Sequence, residues 1–219
     1  MEAKAFIFDL NGTMVDDMKY HNVAWHSILN DDLKANLTRE EVARQMYGKN
    51  EELLDRVFGK GKFSKEQVET ISMKKERNYQ AAFKPHLELI NGLPKFLEKA
   101  EKQGVRMAIG SAAIPFNIDF VLDNLHLRHY FEAIVSADEV AISKPDPETF
   151  LMAAKLLGVP PEDCVVFEDA PKGVEAAMRA NMPCIVLTTM HEKEEFLRYP
   201  NVLRYIADYT DPSLEELFT

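Results

Sequence analysis

Lys4-Ala5-Phe6-Ile7-Phe8-Asp9-Leu10-Asn11-Gly12-Thr13 runs an apolar strand straight into a carboxylate, an amide, a glycine and a hydroxyl. An unbroken apolar run suits a strand buried on both faces. A carboxylate at its C-terminal end lies where open α/β sheets gather their sites, and Gly12 lets the backbone turn away tightly. Taken alone, the stretch also fits a strand closing in an Asx turn; the rest of the chain decides between the two.

From residue 91 onward strands and helices alternate. Short apolar runs at 105–109, 133–135, 164–167 and 184–187 join the first at 5–9. None alternates strictly with polar residues, as expected of parallel strands covered on both sides. Helical patterns at 93–103, 116–125, 147–157 and 173–180 separate them, with Gly104 and Gly158 placed to stop two of those helices. The expectation is an α/β protein with five parallel strands in a doubly wound sheet. Residues 16–87 differ, with helical periodicity, heavy charge and almost no strand signal. Thr38-Arg-Glu-Glu41 and Ser64-Lys-Glu-Gln67 are capping boxes that mark helix starts. The expected division is therefore a core of 1–15 and 88–219 with an inserted bundle of roughly four helices at 16–87, counted from start and stop signals. An insert after the first strand is placed to close over Asp9.

Composition narrows the function. The net charge of −10 disfavours a nucleic-acid partner, which demands a basic face, and it requires local cations for any anionic ligand. Cys164 and Cys184 both lie in apolar runs and are read as buried thiols of a reducing compartment. No apolar stretch has membrane-spanning length, and the acidic Glu2 does not suit a signal peptide. A cytoplasmic monomer is expected, with neither nucleic-acid nor membrane partners.

Three further strand ends carry chemistry. Ser111 follows the strand at 105–109, Lys144-Pro145 stands on a turn before a helix, and Glu168-Asp169 closes the strand at 164–167. Singly, Ser111 or Glu168-Asp169 could be helix caps and Lys144 a solvated charge. In a parallel sheet, however, all these ends converge on one crevice. Together they suit phosphoryl transfer. Asp9 is the candidate nucleophile; Asp9, Asp169 and the Asn11 carbonyl form a hard oxygen site suited to Mg²⁺. Lys144 adds a point charge, while Ser111 and neighbouring backbone N–H groups, Ala112 included, hold phosphate oxygens.

In order and strand context, Asp9-Leu-Asn11-Gly-Thr13, Ser111, Lys144-Pro145 and Glu168-Asp169 resemble the four motifs of the haloacid dehalogenase superfamily over essentially the whole chain. Tyr20-His21 followed by Trp25 is similar to its β-phosphoglucomutase branch. The resemblance implies a Rossmannoid core with a helical cap. It also implies an aspartyl-phosphate on Asp9 and Mg²⁺ held by Asp9, the Asn11 carbonyl and Asp169, with Glu168 supporting the metal from outside its shell. Because dehalogenase members do not need the metal carboxylate, Asp169 favours phosphate over haloacid substrates.

Two departures matter. The family's phosphatases and mutases carry Asp where this chain has Asn11. That Asp moves a proton to the leaving oxygen, and an amide cannot. Losing a positioned acid/base typically costs about 10²–10⁴-fold. A substitution made to trap a complex and a natural variant with altered chemistry both fit, and the otherwise intact motifs favour the first. In the cap, a straight register puts Glu51 where mutases of this kind carry a phosphate-gripping arginine; Lys49 is a substitute if the register shifts, and Lys75 resembles a second cap lysine. Each of these three also fits a solvated helix charge. His21 would couple cap closure to the proton step, with Asp17 one turn earlier contacting substrate or that histidine, although a satisfied helix histidine fits as well. The expected function is a Mg²⁺-dependent phosphohydrolase of a small phosphorylated metabolite. A sugar-phosphate mutase and a silent phosphometabolite-binding protein are the alternatives.

Overall fold

The computed structural model describes residues 3–218; Glu2 lies outside them. The chain divides into two compact units, one running up to Asp16 and resuming at Glu88, the other spanning Asp17–Leu87. The first is built on β1 (Ala5–Phe8), β2 (Arg106–Gly110), β3 (Ala133–Val135), β4 (Cys164–Glu168), β5 (Cys184–Leu187) and β6 (Val202–Ile206). All neighbours pair in parallel, in the order β3-β2-β1-β4-β5-β6.

The expected count of five strands is corrected to six among the described residues. β6 was missed because it forms the sheet edge and is mostly half-buried, so Val202-Leu-Arg-Tyr-Ile206 carries a charge and no continuous apolar run. The connecting helices are α5 (Leu93–Lys102), α6 (Pro115–Asn124), α7 (Glu148–Leu157) and α8 (Pro171–Arg179), each within two residues of a helical pattern in the sequence.

The alternation along β1 explains its burial on both faces. Phe6 and Phe8 point into an aromatic layer with Phe96, Phe167 and Tyr209, in which Phe8 stacks on Phe167 with centroids 4.8 Å apart. Ala5 and Ile7 join Ala108, Val166, Phe150 and Val174 on the opposite side. Cys164 and Cys184 are buried; burial pushes the Cys164 thiol up to about 12 and the Cys184 thiol well above its ordinary value. The strand order reverses between β1 and β4, and the crevice beyond the carboxyl ends at such a switch point is where these sheets bind ligands.

The second unit contains α1 (Met18–Ser27), which ends in a π-turn segment at Ile28–Asp32, then α2 (Arg39–Gln45), α3 (Asn50–Phe58) and α4 (Lys65–Phe83). Both capping boxes form: Thr38 and Glu41 exchange bonds of 2.7 and 3.2 Å, and Ser64 and Gln67 bonds of 2.9 and 3.3 Å. Trp25, Ile28, Leu29, Val42, Leu53 and Leu54 make its separate apolar core. Among the described residues no helix is long and apolar enough to cross a membrane.

Candidate active site

At the switch point, Asp9 follows β1 and Glu168-Asp169 close β4, and the Asp9 N–H donates to the Phe167 carbonyl at 3.0 Å. Between them lies Lys144, 8 % exposed and therefore no solvated turn charge. Its ammonium donates to Asp9 Oδ1 at 2.7 Å, to Glu168 Oε1 at 2.8 Å and to the Gly110 carbonyl at 3.0 Å. All three of its protons are thereby placed. Burial opposes that charge, but Asp9 and Glu168 outweigh it and hold the ammonium above its ordinary value.

Glu168 serves two elements at once. While Oε1 receives Lys144, Oε2 accepts the N–H groups of Asp169 and Ala170 at 2.9 Å, which tie down the start of α8. Both oxygens are thus engaged by nitrogen, which fits support of the site from outside a metal's first shell. The carboxylate lies so close to α8 that a Cβ on Gly173 would sit 1.7 Å from Oε1. Gly12, at φ +75°, is constrained in the same way by Asp169, whose Oδ2 would be 2.0 Å from its Cβ.

The turn after β1 is lashed down from distant parts of the chain. Thr13 Oγ1 reaches Asp169 Oδ1 at 3.4 Å, Thr189 Oγ1 donates to the Gly12 carbonyl at 2.6 Å, and Tyr209 Oη donates to the Thr13 carbonyl at 3.0 Å. Burial, with Asp9 and Asp169 nearby, raises the Tyr209 phenol, so it stays a neutral donor. Ser111, buried at the end of β2, accepts the Ala113 N–H at 3.1 Å, which folds Ala112 and Ala113 around its hydroxyl. Of the core residues named from sequence, Asp9, Asn11, Ser111, Ala112, Glu168 and Asp169 lie at the carboxyl ends of β1, β2 and β4 or on the turns that follow them, and Lys144 lies on the segment between β3 and α7. Thr189, Tyr209 and Gly173 were missed. None belongs to a local pattern, although Gly173 inside a helical stretch was a signal that could have been followed.

The donor set fits Mg²⁺. Among the described residues no three His, Cys, Asp or Glu side chains form a metal cluster. Mg²⁺ is commonly held by one or two carboxylates with water and phosphate completing its shell, and Asp9, Asp169 and the Asn11 carbonyl supply oxygen donors of that kind. Gly12, having no Cβ, lets the turn that carries Asn11 lie against the Asp169 carboxylate.

In the helical unit, Asp17, His21 and Lys75 are buried and close together, so the solvated reading of Lys75 is corrected. Its ammonium lies over the Trp25 ring, with Nζ 5.3 Å from the centroid. Lys49 is half-buried at the start of α3, where its N–H donates to Glu52 Oε2 at 2.9 Å, and Glu51 is exposed on the first turn.

Comparison with known proteins agrees with this architecture. The family described as haloacid dehalogenase-like hydrolase matches residues 6–187. The chain is 32% identical over 190 residues to the fructose-1-phosphate phosphatase YqaB of Escherichia coli, spanning 82% of this chain and 93% of that protein. It is 32% identical over 220 residues to the β-phosphoglucomutase of Bacillus subtilis, spanning 97% and 94%. A family IA hydrolase structure from Entamoeba histolytica superposes with a TM-score of 0.87 at 25% identity, covering 100% of this chain and 98% of that one.

Proposed function

This chain belongs to the haloacid dehalogenase-like hydrolase family, and we propose that within it the protein is a Mg²⁺-dependent phosphohydrolase of a small phosphorylated metabolite. The observation that carries the reading is the buried Asp9–Lys144–Glu168 triple beside Asp169 at the sheet's switch point. Asp9 is the nucleophile: a carboxylate oxygen bonds to phosphorus as the ester oxygen departs, and water then attacks phosphorus and frees Asp9. Lys144 keeps a positive charge on the carboxylate as the anionic phosphate approaches, and aims it by a fixed contact. Ser111 and the Ala112 N–H hold phosphate oxygens. A bound Mg²⁺, held by Asp9, Asp169 and the Asn11 carbonyl, would screen the negative charge between carboxylate and phosphate.

Asn11 can orient the leaving oxygen but not protonate it, so poor leaving groups are turned over slowly. That residue favours one second reading, a phosphometabolite-binding protein with the same pocket. Lys49 and Glu51 are assigned to substrate choice. Phosphate release by the parent and by Asn11→Asp, over sugar phosphates, nucleotides and pyrophosphate, tests the enzyme reading. Asn11→Asp should gain about 10²-fold or more on at least one substrate, most with poor leaving groups. No gain on any substrate would leave the binding protein as the better account.

A further inference from the structure

The helical unit contains a buried knot of ionisable side chains of which a phosphohydrolase needs only part. Asp17 precedes α1 and His21 lies one turn into it; Lys75, Glu76 and Tyr79 lie on α4, and all five are buried. The His21 ring lies flat on Tyr79, with centroids 3.7 Å and planes 13° apart. Tyr79 Oη donates to Asp17 Oδ2 at 2.5 Å, and His21 Nε2 faces that same oxygen at 3.5 Å. On the other edge of the ring, Lys75 Nζ is 2.8 Å from His21 Nδ1, and 3.1 and 2.9 Å from the two oxygens of Glu76. Asn50 of α3 donates to Glu76 Oε1 at 2.8 Å from behind.

Counting protons leaves few arrangements. Glu76, as a carboxylate, only accepts, so Lys75 spends two N–H bonds on its oxygens. An ammonium has one proton left, directed at a bare Nδ1. An imidazolium would instead set N–H against N–H across 2.8 Å. Moving a proton from lysine to histidine relieves that clash but runs against the ordinary order of the two groups' basicities. Burial lowers the Lys75 value, and contact with the two oxygens of Glu76 works against burial in favour of the ammonium. A bare Nδ1 leaves the ring proton on Nε2, where Asp17 Oδ2 is the acceptor.

We propose that Lys75, Glu76, Asp17 and Tyr79 are positioning residues that lock His21 as a neutral imidazole with its proton on Nε2. Tyr79 sets the plane of the ring by stacking and anchors the Asp17 oxygen that the Nε2 proton faces. Burial, and then the Lys75 ammonium, lower the His21 value, while Asp17 and Glu76 act in the opposite sense. Among the described residues, the charged and titratable groups shown facing the ring are Asp17, just ahead of α1, and Lys75, Glu76 and Tyr79 from α4. The consequence for catalysis rests on the phosphohydrolase reading: His21 is a fixed hydrogen-bond donor and does not replace the proton transfer that Asn11 lacks.

Long-range ¹⁵N correlation spectra of the full chain test the lock, with the His21 signal identified by its loss in His21→Gln. The expected result is a neutral Nε2–H pattern, unmoved between about pH 5 and 8. Lys75→Met should release the lock, so that His21 charges at a higher pH than in the parent. Tyr79→Phe keeps the stack and should move the Nε2–H resonance without charging the ring. A parent His21 that titrates near 6.5, or that carries its proton on Nδ1, overturns the proposal even if both variants fail to fold. Phosphate release by Asn11→Asp is scored separately, so failure of the lock and failure of the enzyme reading remain distinguishable. In that background the pH profile of kcat/KM should show no limb that disappears in His21→Gln.

Discussion

Gly173→Ala probes how tightly the site is built into the helix that follows β4. A methyl group there would lie 1.7 Å from Glu168 Oε1 and 1.9 Å from its Cδ. To restore van der Waals contact, the carboxylate must withdraw by more than about 1 Å. Its bonds to Lys144 at 2.8 Å and to two backbone N–H groups at 2.9 Å do not survive that movement. Parting one member of a buried ion pair typically costs about 3–5 kcal/mol. Replacing glycine in a helix returns up to about 1 kcal/mol. The net loss is about 2–4 kcal/mol, or roughly 5–15 °C in Tm for a chain of this size. Thermal unfolding of four proteins measures it: parent, Gly173→Ala, Glu168→Ala and the double variant. With Glu168 truncated the clash is gone, so Gly173→Ala should then be neutral or stabilising. A Gly173→Ala protein as stable as the parent, or purely additive effects in the cycle, would refute the wedge of Glu168 between Lys144 and α8.

Three other outcomes are expected. Asp169→Ala removes one of the two carboxylates assigned to Mg²⁺, so the heat of Mg²⁺ binding should fall sharply while the circular dichroism spectrum persists; undiminished affinity would mean that Asp169 does not hold the metal. Because the folded protein holds the Lys144 ammonium above its ordinary 10.5, its ion pairs contribute fully below that pH and are lost as pH rises through the folded value. Urea unfolding from about pH 9 to 12 should therefore show the parent losing stability more steeply than Lys144→Met, and parallel slopes would contradict the assignment. In the Asn11→Asp background, Glu51→Arg should raise affinity for a hexose bisphosphate and leave a monophosphate nearly unchanged, since arginine grips phosphate bidentately; equal effects on both would place Glu51 away from the ligand.

What the sequence determined by itself was local. β1 was legible because four apolar residues in a row need cover on both faces, and Asp9, Ser111 and Glu168-Asp169 because each directly ends such a run. The helix starts at Thr38 and Ser64 were legible because a capping box closes within four residues. Tertiary structure alone decided which side chains these ends would meet. β6 is a strand only because β5 offers it an edge, and its half-exposed residues carry no periodicity that demands burial. Lys144 and Lys75 look in sequence like any solvated lysine; what buries them is a carboxylate 135 residues away for the first and a histidine 54 residues away for the second. Tyr79, Thr189 and Tyr209 bond to partners 62, 177 and 196 residues distant. Such pairs are invisible to any local pattern because the energy that selects them arises only when folding removes water from both groups at once.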